Sequence, residues 1–403
     1  MSILDRRTRT KADIHNVDVR DFFLRELPSL IAQRGHLAIP GANELGLTPI
    51  TFITPSGVWS LAIDGETISV TAKDDAPTAV QLSDEDFSDF IIDLTTLQML
   101  YNLKRLKLLR GTQDMFEGWW AVLRSLVDGR PVYTAGAIAM LDRQGQPLDV
   151  NRSFTKGDDD AEIGHFLAQT GFLHLSGWFD EALMSEIEAE MEREFAACTK
   201  SDGSWWATLQ DGTESPVRIS EFASRSPALR RLIEGDAYQR IGRLTDDQFK
   251  IAGGGEAMQK PLNVMSGISS LPWHNDCALG MHSYKCCNLV VGISVTGAGP
   301  GSSQLAVLPG SHLALIPANR LYPANGMEPR TISTKTGDAT VHCSCTLHMS
   351  ENPTEYERKV IYTVMELPID PETSQEIVRL QSRYHEVGQN YAQEDFGVTV
   401  GAD

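Results

Sequence analysis

Apolar residues recur at helical spacing from Val17 to Arg34, with Val19, Phe22, Phe23, Leu27, Leu30 and Ile31 on one face. This pattern predicts an amphipathic helix that stops at Gly35. Between Thr51 and Leu82 the period shortens to two in the runs VWSLAID and TISVTA. The Asp64-Gly65 pair between them predicts a tight hairpin in a small antiparallel sheet. Ser83 followed by acidic residues predicts a capped helix, and a further helix is expected from Leu94 through Leu109. Residues 1–145 therefore read as a compact α+β unit, and the polar, Gly- and Asp-rich stretch 146–160 reads as a linker. In 161–403, helical patterns over Ala161–Gly171 and Glu181–Phe195 flank the strand-like FLHLSGW. From Gln248 onward short alternating runs follow one another: FKIAG, LNVMSG, CNLVVGISV, SQLAVLPG, ATVHCSCTLHMS and KVIYTVMEL. They predict a jelly roll, a cupin-like double-stranded β-helix with flanking helices.

Composition narrows the class. With 41% hydrophobic and 22% charged residues in 403, the chain is globular and long enough for two cores. Its 35 Lys and Arg against 54 Asp and Glu give a net charge of -19, which repels phosphate backbones and excludes nucleic acid as a partner. No apolar run approaches the ~20 residues of a membrane span, and the opening MSILDRRTRTKAD has no apolar stretch of a secretory leader behind it. A cytoplasmic location is expected. Five of the six cysteines, Cys277, Cys286, Cys287, Cys343 and Cys345, fall in one stretch. Reduced, packed thiols are the default reading; a thiolate zinc site is the alternative, although the usual two-residue spacer is missing.

The strand-rich part also gathers histidines. In an extended segment residues two apart share a side, so His274 and Asp276 can present an imidazole and a carboxylate to one ion. A third ligand comes from the stretch after Gly337-Asp338, where His348 is followed by Ser350, Asn352 and Arg358, and where His342 has the same strand parity and competes on spacing. Two histidines and one carboxylate make the facial triad of non-haem Fe(II), which leaves coordination positions open. Arg358 can clamp a distal carboxylate through its guanidinium fork, with the Ser350 hydroxyl as a second donor. Each residue alone has a plainer reading: a turn histidine, a strand-end cap, a surface ion pair of Arg358 with Glu355 or Glu357.

The ordered segments LPWHNDCALGMHSY, SQLAVLPGSHL and GDATVHCSCTLHMSENPTEYERKVIY, with FLAQTGFLHLSGWFDEALMSEIEAEM upstream, resemble the phytanoyl-CoA dioxygenase family over about 240 residues. That resemblance implies an Fe(II) and 2-oxoglutarate-dependent dioxygenase that consumes O2 and releases succinate and CO2. It implies His274, Asp276 and His348 as catalytic iron ligands, and favours His348 over His342 because Asp338 precedes it and Arg358 follows it by ten. Arg358 and Ser350 would bind the 2-oxoglutarate carboxylate, with Asn275 and Met258 near the cosubstrate. Asp276 in the ligand position implies hydroxylation instead of halogenation, with desaturation, epimerisation and ring rearrangement open. His312 is expected to shape a turn, and His282 a rim.

The first unit resembles the sterol-carrier-protein type of lipid-binding domain in its helix, strand meander and the segments QLSDEDFSDFI and LKLLRGTQDMFEGWWAVLRSLVDG. A hydrophobic small-molecule substrate, such as a lipid, steroid, terpenoid or polyketide, is what the resemblance implies. Against that stands the reading of Phe116, Trp119, Trp120 and Leu123 as plain core, which makes the unit a packing or homodimerisation scaffold. Trp205, Trp206, Trp273, Cys277, Met281 and Arg320 are the candidate substrate contacts. A non-catalytic lipid carrier on a cupin-like scaffold is the alternative function.

Overall fold

The computed structural model describes residues 9–267, 270–279, 288–317 and 326–380, and the backbone of 399–400. The opening helix does not stop at Gly35: Val19–Asp21, a π-helical Phe22–Glu26 and Leu27–Glu44 run on without interruption. Leu27, Ala38, Ile39 and Ala42 bury its face, which packs on the Gln113–Asp128 helix. That burial outweighs the roughly 1 kcal/mol cost of a helical glycine.

Five strands follow, β1 (Ile50–Thr54), β2 (Gly57–Asp64), β3 (Thr67–Thr71), β4 (Thr78–Gln81) and β5 (Lys107–Arg110), in the order β3-β2-β1-β4-β5. Asp64 pairs with Thr67 across the predicted hairpin, with Gly65 at a φ of 62°. The sheet is mixed, not antiparallel throughout, because the hairpin occupies one edge of β1 and β4 enters parallel on the other. Ser83 caps Asp84–Ile91 by accepting the Asp86 N–H. The expected helix from Leu94 to Leu109 is instead a short helix, Leu97–Asn102, followed by β5; Lys104, at a φ of 58°, leaves helical space between them. Phe23 stacks on Trp59 at 5.1 Å, and Phe22, Phe52, Phe87, Phe90 and Phe116 fill the space between sheet and helices. Buried Arg124 lies 3.2 Å from Asp93 and 3.5 Å from Asp128.

The second region contains β6 (Phe172–Leu175), β7 (Trp205–Leu209), β8 (Glu214–Ile219), β9 (Lys250–Lys260), β10 (Val264–Ser266), β11 (Leu271–His274), β12 (Leu289–Ser294), β13 (Leu305–Val307), β14 (Arg330–Ile332), β15 (Ala339–Cys343), β16 (His348–Ser350), β17 (Arg358–Glu366) and β18 (Thr399–Val400). The larger sheet runs β10-β7-β8-β9-β17-β12-β15-β6 with β18 on β7, and the smaller one β11-β16-β13-β14. From β11 to β17 the chain crosses repeatedly between the two sheets: β11, the β13–β14 pair and β16 lie in the smaller one and β12, β15 and β17 in the larger, as in a jelly roll. Leu289, Val291, Ile293, Val341 and Ile361 on one face of the larger sheet join a core with Asp160–Thr170 and Glu181–Ala197. The residues that alternate with them face the smaller sheet.

The two regions share a seam. Val132 bridges Leu315, whose side chain enters the first unit's core, and Arg130 donates to the His312 carbonyl at 2.8 Å. Phe154, within 146–160, is buried in the second core and donates its N–H to the His174 carbonyl. Among the described residues no helix is long and apolar enough to cross a membrane.

Candidate metal centre and anion pocket

The run ATVHCSCTLHMS is not one strand. A turn at 344–347 divides it, so that His342 lies on β15 of the larger sheet and His348 on β16 of the smaller one. The turn is held by Gly171, whose carbonyl accepts the Cys343 N–H at 2.9 Å and the Thr346 hydroxyl at 2.8 Å. The parity shared by the two histidines in the sequence is therefore lost. They approach Asp276 from opposite sheets.

His274, at the end of β11, pairs across the ladder with His348. Their Nε2 atoms lie 3.6 Å and 3.7 Å from Asp276 Oδ1, while His342 Nε2 lies 3.3 Å from the other oxygen, Oδ2. The ligand atoms of His274, Asp276 and His348 fall within 4.8 Å of one another. Nδ1 of His274 meets the Pro272 carbonyl at 2.7 Å and Nδ1 of His348 meets the Thr346 carbonyl at 2.9 Å. Both rings thereby place their Nδ1–H on a backbone carbonyl and turn Nε2 toward Asp276. Burial and the neighbouring His342 push the His348 pKa down to about 3, so its ring is neutral and able to ligate. Burial opposes charge on both His274 and Asp276; at His274 the hydrogen bond and attraction to Asp276 outweigh it, and at Asp276 the attraction of His348 does so, followed by the hydrogen bonds from His274 and His342. The His274 pKa is raised and that of Asp276 is held well below the usual carboxylate range. The donor set of two neutral-capable imidazoles and one carboxylate suits a divalent transition metal.

A second feature lies two residues further along β16. Ser350 Oγ receives Lys260 Nζ at 2.5 Å and contacts Ser303 Oγ at 2.8 Å, and Lys260 also donates to Ser303 Oγ at 2.9 Å. Lys260 stands opposite Arg358 in the β9–β17 ladder, and Arg358 Nη1 donates to the Ser303 carbonyl at 2.7 Å. Both cations are 2% exposed, and among the described residues the Arg358 Nε–H has no acceptor and no carboxylate pairs with either. Burial first, then repulsion from Arg358, lowers the Lys260 pKa to about 7. Two buried positive groups beside two hydroxyls, with no carboxylate counter-charge among the described residues, are the chemistry that suits an anion.

No protein-family profile matches the chain, and no curated protein matches it in sequence. Among solved structures it is similar to AviO1 from Streptomyces viridochromogenes, at 20% identity and a TM-score of 0.44, over 53% of this chain and 96% of that one. It is also similar to EctD from S. alaskensis with bound Fe, at 19% identity and a TM-score of 0.42, over 58% and 87% of the two chains. The α-ketoglutarate-dependent epimerase SnoN from nogalamycin biosynthesis is similar at 20% identity and a TM-score of 0.40, over 51% and 79%.

The remaining candidates are spread around the centre. Asn275 turns its amide to the Cys345 carbonyl at 2.6 Å and so braces the 344–347 turn. Met258 lies directly between Arg218 on β8 and Val360 on β17, and Trp205 pairs with Arg218, so all share the inner face of the larger sheet with Lys260. Arg218 covers Trp205 at 4.3 Å and forms an ion pair with Glu256. Trp206 donates to Ser204 Oγ at 2.9 Å and lies under Lys200. Trp273 packs with Leu308, Ile316 and Leu347 in a small separate cluster. Cys277 is buried with its sulfur 3.5 Å from that of Cys345. His312 occupies a 3-10 turn and contacts the Ala168 carbonyl. Met281, His282, Cys286, Cys287 and Arg320 lie outside the described residues. Trp120, grouped with the core on sequence, borders the seam, whereas Phe116, Trp119 and Leu123 are buried. Lys260 is the residue sequence reading missed: a lysine before Pro261 in a Gly-rich strand reads as a solvent-facing end.

Proposed function

We propose that the chain is a non-haem Fe(II) and 2-oxoglutarate-dependent oxygenase of the phytanoyl-CoA dioxygenase type, with His274, Asp276 and His348 as iron ligands. The observation that carries this reading is the juxtaposition of the two features. The His348 ligand and the anion-pocket Ser350 are two apart on β16, about 7 Å along the strand, the span of a short dicarboxylate. Lys260, Arg358 and Ser350 would hold the distal carboxylate of 2-oxoglutarate and neutralise it without water, which orients the keto acid end toward the three ligands. Bound iron would supply oxidative decarboxylation of the keto acid by O2, giving succinate and CO2 and an oxidant for the substrate. His342, within reach of the Asp276 oxygen that the other two histidines leave, would hold the carboxylate in one orientation. Asn275 and Met258 would shape the walls of the cosubstrate site.

The substrate is proposed as a hydrophobic small molecule that undergoes hydroxylation. In support, the inner face of the larger sheet continues from Lys260 and Met258 through Arg218 to the half-buried Trp205, whose ring lies under Arg218. The region up to residue 145 is proposed as a separate sterol-carrier-like unit, with 161–403 as the oxygenase. The aromatic packing around Phe23 and Trp59 and the buried Arg124 favour a scaffolding role for that unit over a lipid store.

The test is anaerobic addition of Fe(II) and then 2-oxoglutarate, followed by visible absorption. A weak charge-transfer band that requires both, disappears in His348→Ala and survives in His342→Ala supports the assignment. A band lost in His342→Ala and retained in His348→Ala exchanges the two histidines, and no band in the unmodified protein rejects the reading.

A further inference from the structure

We propose that Cys277 and Cys345 form a peroxide-sensitive dithiol, a disulfide-forming site that flanks the metal centre and lowers its hold on the ion when oxidised. Three observations carry it. The sulfurs are already in contact at 3.5 Å. Their backbones are tied together beside them, since the Cys277 N–H donates to the Ser344 carbonyl at 3.2 Å and the Asn275 amide donates to the Cys345 carbonyl at 2.6 Å. Both thiols also border a cleft at the seam of the two regions, together with Arg130, Ser311 and His312, which gives a small oxidant a route to them.

Closing the bond requires the sulfurs to approach by about 1.5 Å, to the ~2.05 Å of a disulfide. The chemistry balances with hydrogen peroxide as oxidant. One thiol sulfur attacks a peroxide oxygen, the O–O bond breaks, and a sulfenic acid and water form. The second thiol attacks that sulfur, the S–O bond breaks, and a second water leaves as the S–S bond forms. Two thiols lose two electrons and two protons, and one peroxide becomes two waters.

Position gives the bridge its consequence. Cys277 follows Asp276 directly, and Cys345 lies in the turn that separates His342 from His348. Drawing the two sulfurs together moves the carboxylate-bearing segment toward that turn and disturbs the relation of Asp276 to both histidines. The effect on the metal rests on the ligand assignment proposed above; the bridge itself does not.

The experiment uses the full, metal-free chain, reduced and then exposed to hydrogen peroxide. Peptide mapping without reduction is expected to link the peptides carrying Cys277 and Cys345, with thiol content falling by two per chain and recovering with a dithiol. Equilibrium dialysis should then show Fe(II) affinity reduced at least several-fold in the oxidised protein and restored by the dithiol. Cys277→Ser and Cys345→Ser, each checked for an unchanged melting temperature, should lack both the link and the peroxide effect on Fe(II). A variant that fails to fold leaves the mapping of the unmodified chain as the deciding measurement. A link through Cys286 or Cys287 instead, or no link at all, overturns the site. A Cys277–Cys345 link with unchanged Fe(II) affinity overturns the control of the centre. Loss of Fe(II) binding already in the reduced protein overturns the ligand assignment and leaves the dithiol standing.

Discussion

Lys260 and Arg358 stand directly opposite one another in the β9–β17 ladder, two buried cations on the same face with hydroxyls from Ser303 and Ser350 around them. Like charges opposed in a sheet are destabilising, and burial adds to the cost. The arrangement is relieved when a dianion enters or when Lys260 gives up its proton, and the two routes have opposite pH dependence.

The Lys260 pKa is about 7 in the fold and 10.5 in the unfolded reference. Between those values the unfolded chain binds the proton and the folded chain does not, so stability without cosubstrate rises with pH across that window. Below about 7 the full cost of the buried charge is present. If the proposed site holds 2-oxoglutarate, the dianion binds to the charged lysine, so its affinity is expected to fall as pH rises above about 7, with proton uptake on binding. Titrations from pH 6 to pH 9 in parallel with thermal melts check both trends. In Lys260→Met the melting temperature should lose this dependence, and affinity should be weak at every pH; a Met variant with the slope of the unmodified protein would place the titration elsewhere.

Arg358 offers a fork where lysine offers a point charge. Arg358→Met removes hydrogen bonds to a charged partner worth about 1.5–3 kcal/mol, which is roughly a 10- to 100-fold rise in the KM for 2-oxoglutarate. Arg358→Lys should recover only part of that loss, because planar two-point contact is gone. Succinate release measured against cosubstrate concentration reads the effect. Equal kinetics in the Met variant and the unmodified protein would remove Arg358 from the site.

His342 meets the Asp276 oxygen that faces away from the other two histidines. His342→Leu removes that partner and frees the carboxylate to rotate, so Fe(II) is expected to bind more weakly and the charge-transfer band to shift. His342→Gln restores a donor and should return the band toward its original position. If Leu and Gln variants give one and the same spectrum, the hydrogen bond is not what holds Asp276.

The parts of this site that were legible in the sequence are those set by local geometry. His274 and Asp276 are two apart and meet wherever the segment is extended, and Ser350 follows His348 by the same step. Arg358 was legible through the order of motifs. Lys260 was not, because its partner is 98 positions away and only the β9–β17 register brings the two together. The break between His342 and His348 was hidden for a related reason: the run between them alternates like one strand, and the carbonyl that holds its turn belongs to distant Gly171. In the first unit, Gly35 misled because burial along Leu27–Glu44 overrides local propensity, and the Leu94–Leu109 stretch misled because Lys104 adopts a left-handed conformation its residue type does not announce.

Gly171 also connects the fold to the metal centre. Its φ of 77° lies where side chains are strained, and a Cβ there would come within 2.4 Å of Thr346 Oγ1 and 2.5 Å of His312 Nδ1. Gly171→Ala must therefore shift the turn that sets His342 and His348 apart, beyond the ~1–3 kcal/mol of backbone strain alone. Gly177→Ala is the matched comparison, because Gly177 has a φ of 57° and open space where its Cβ would go. Both variants should melt earlier, by several degrees in a chain of this size. Only Gly171→Ala should also lose Fe(II) affinity, measured well below its melting temperature. Equal Fe(II) binding in the two variants would mean that the turn can move without the ligands following, and the dependence of the centre on this carbonyl would have to be abandoned.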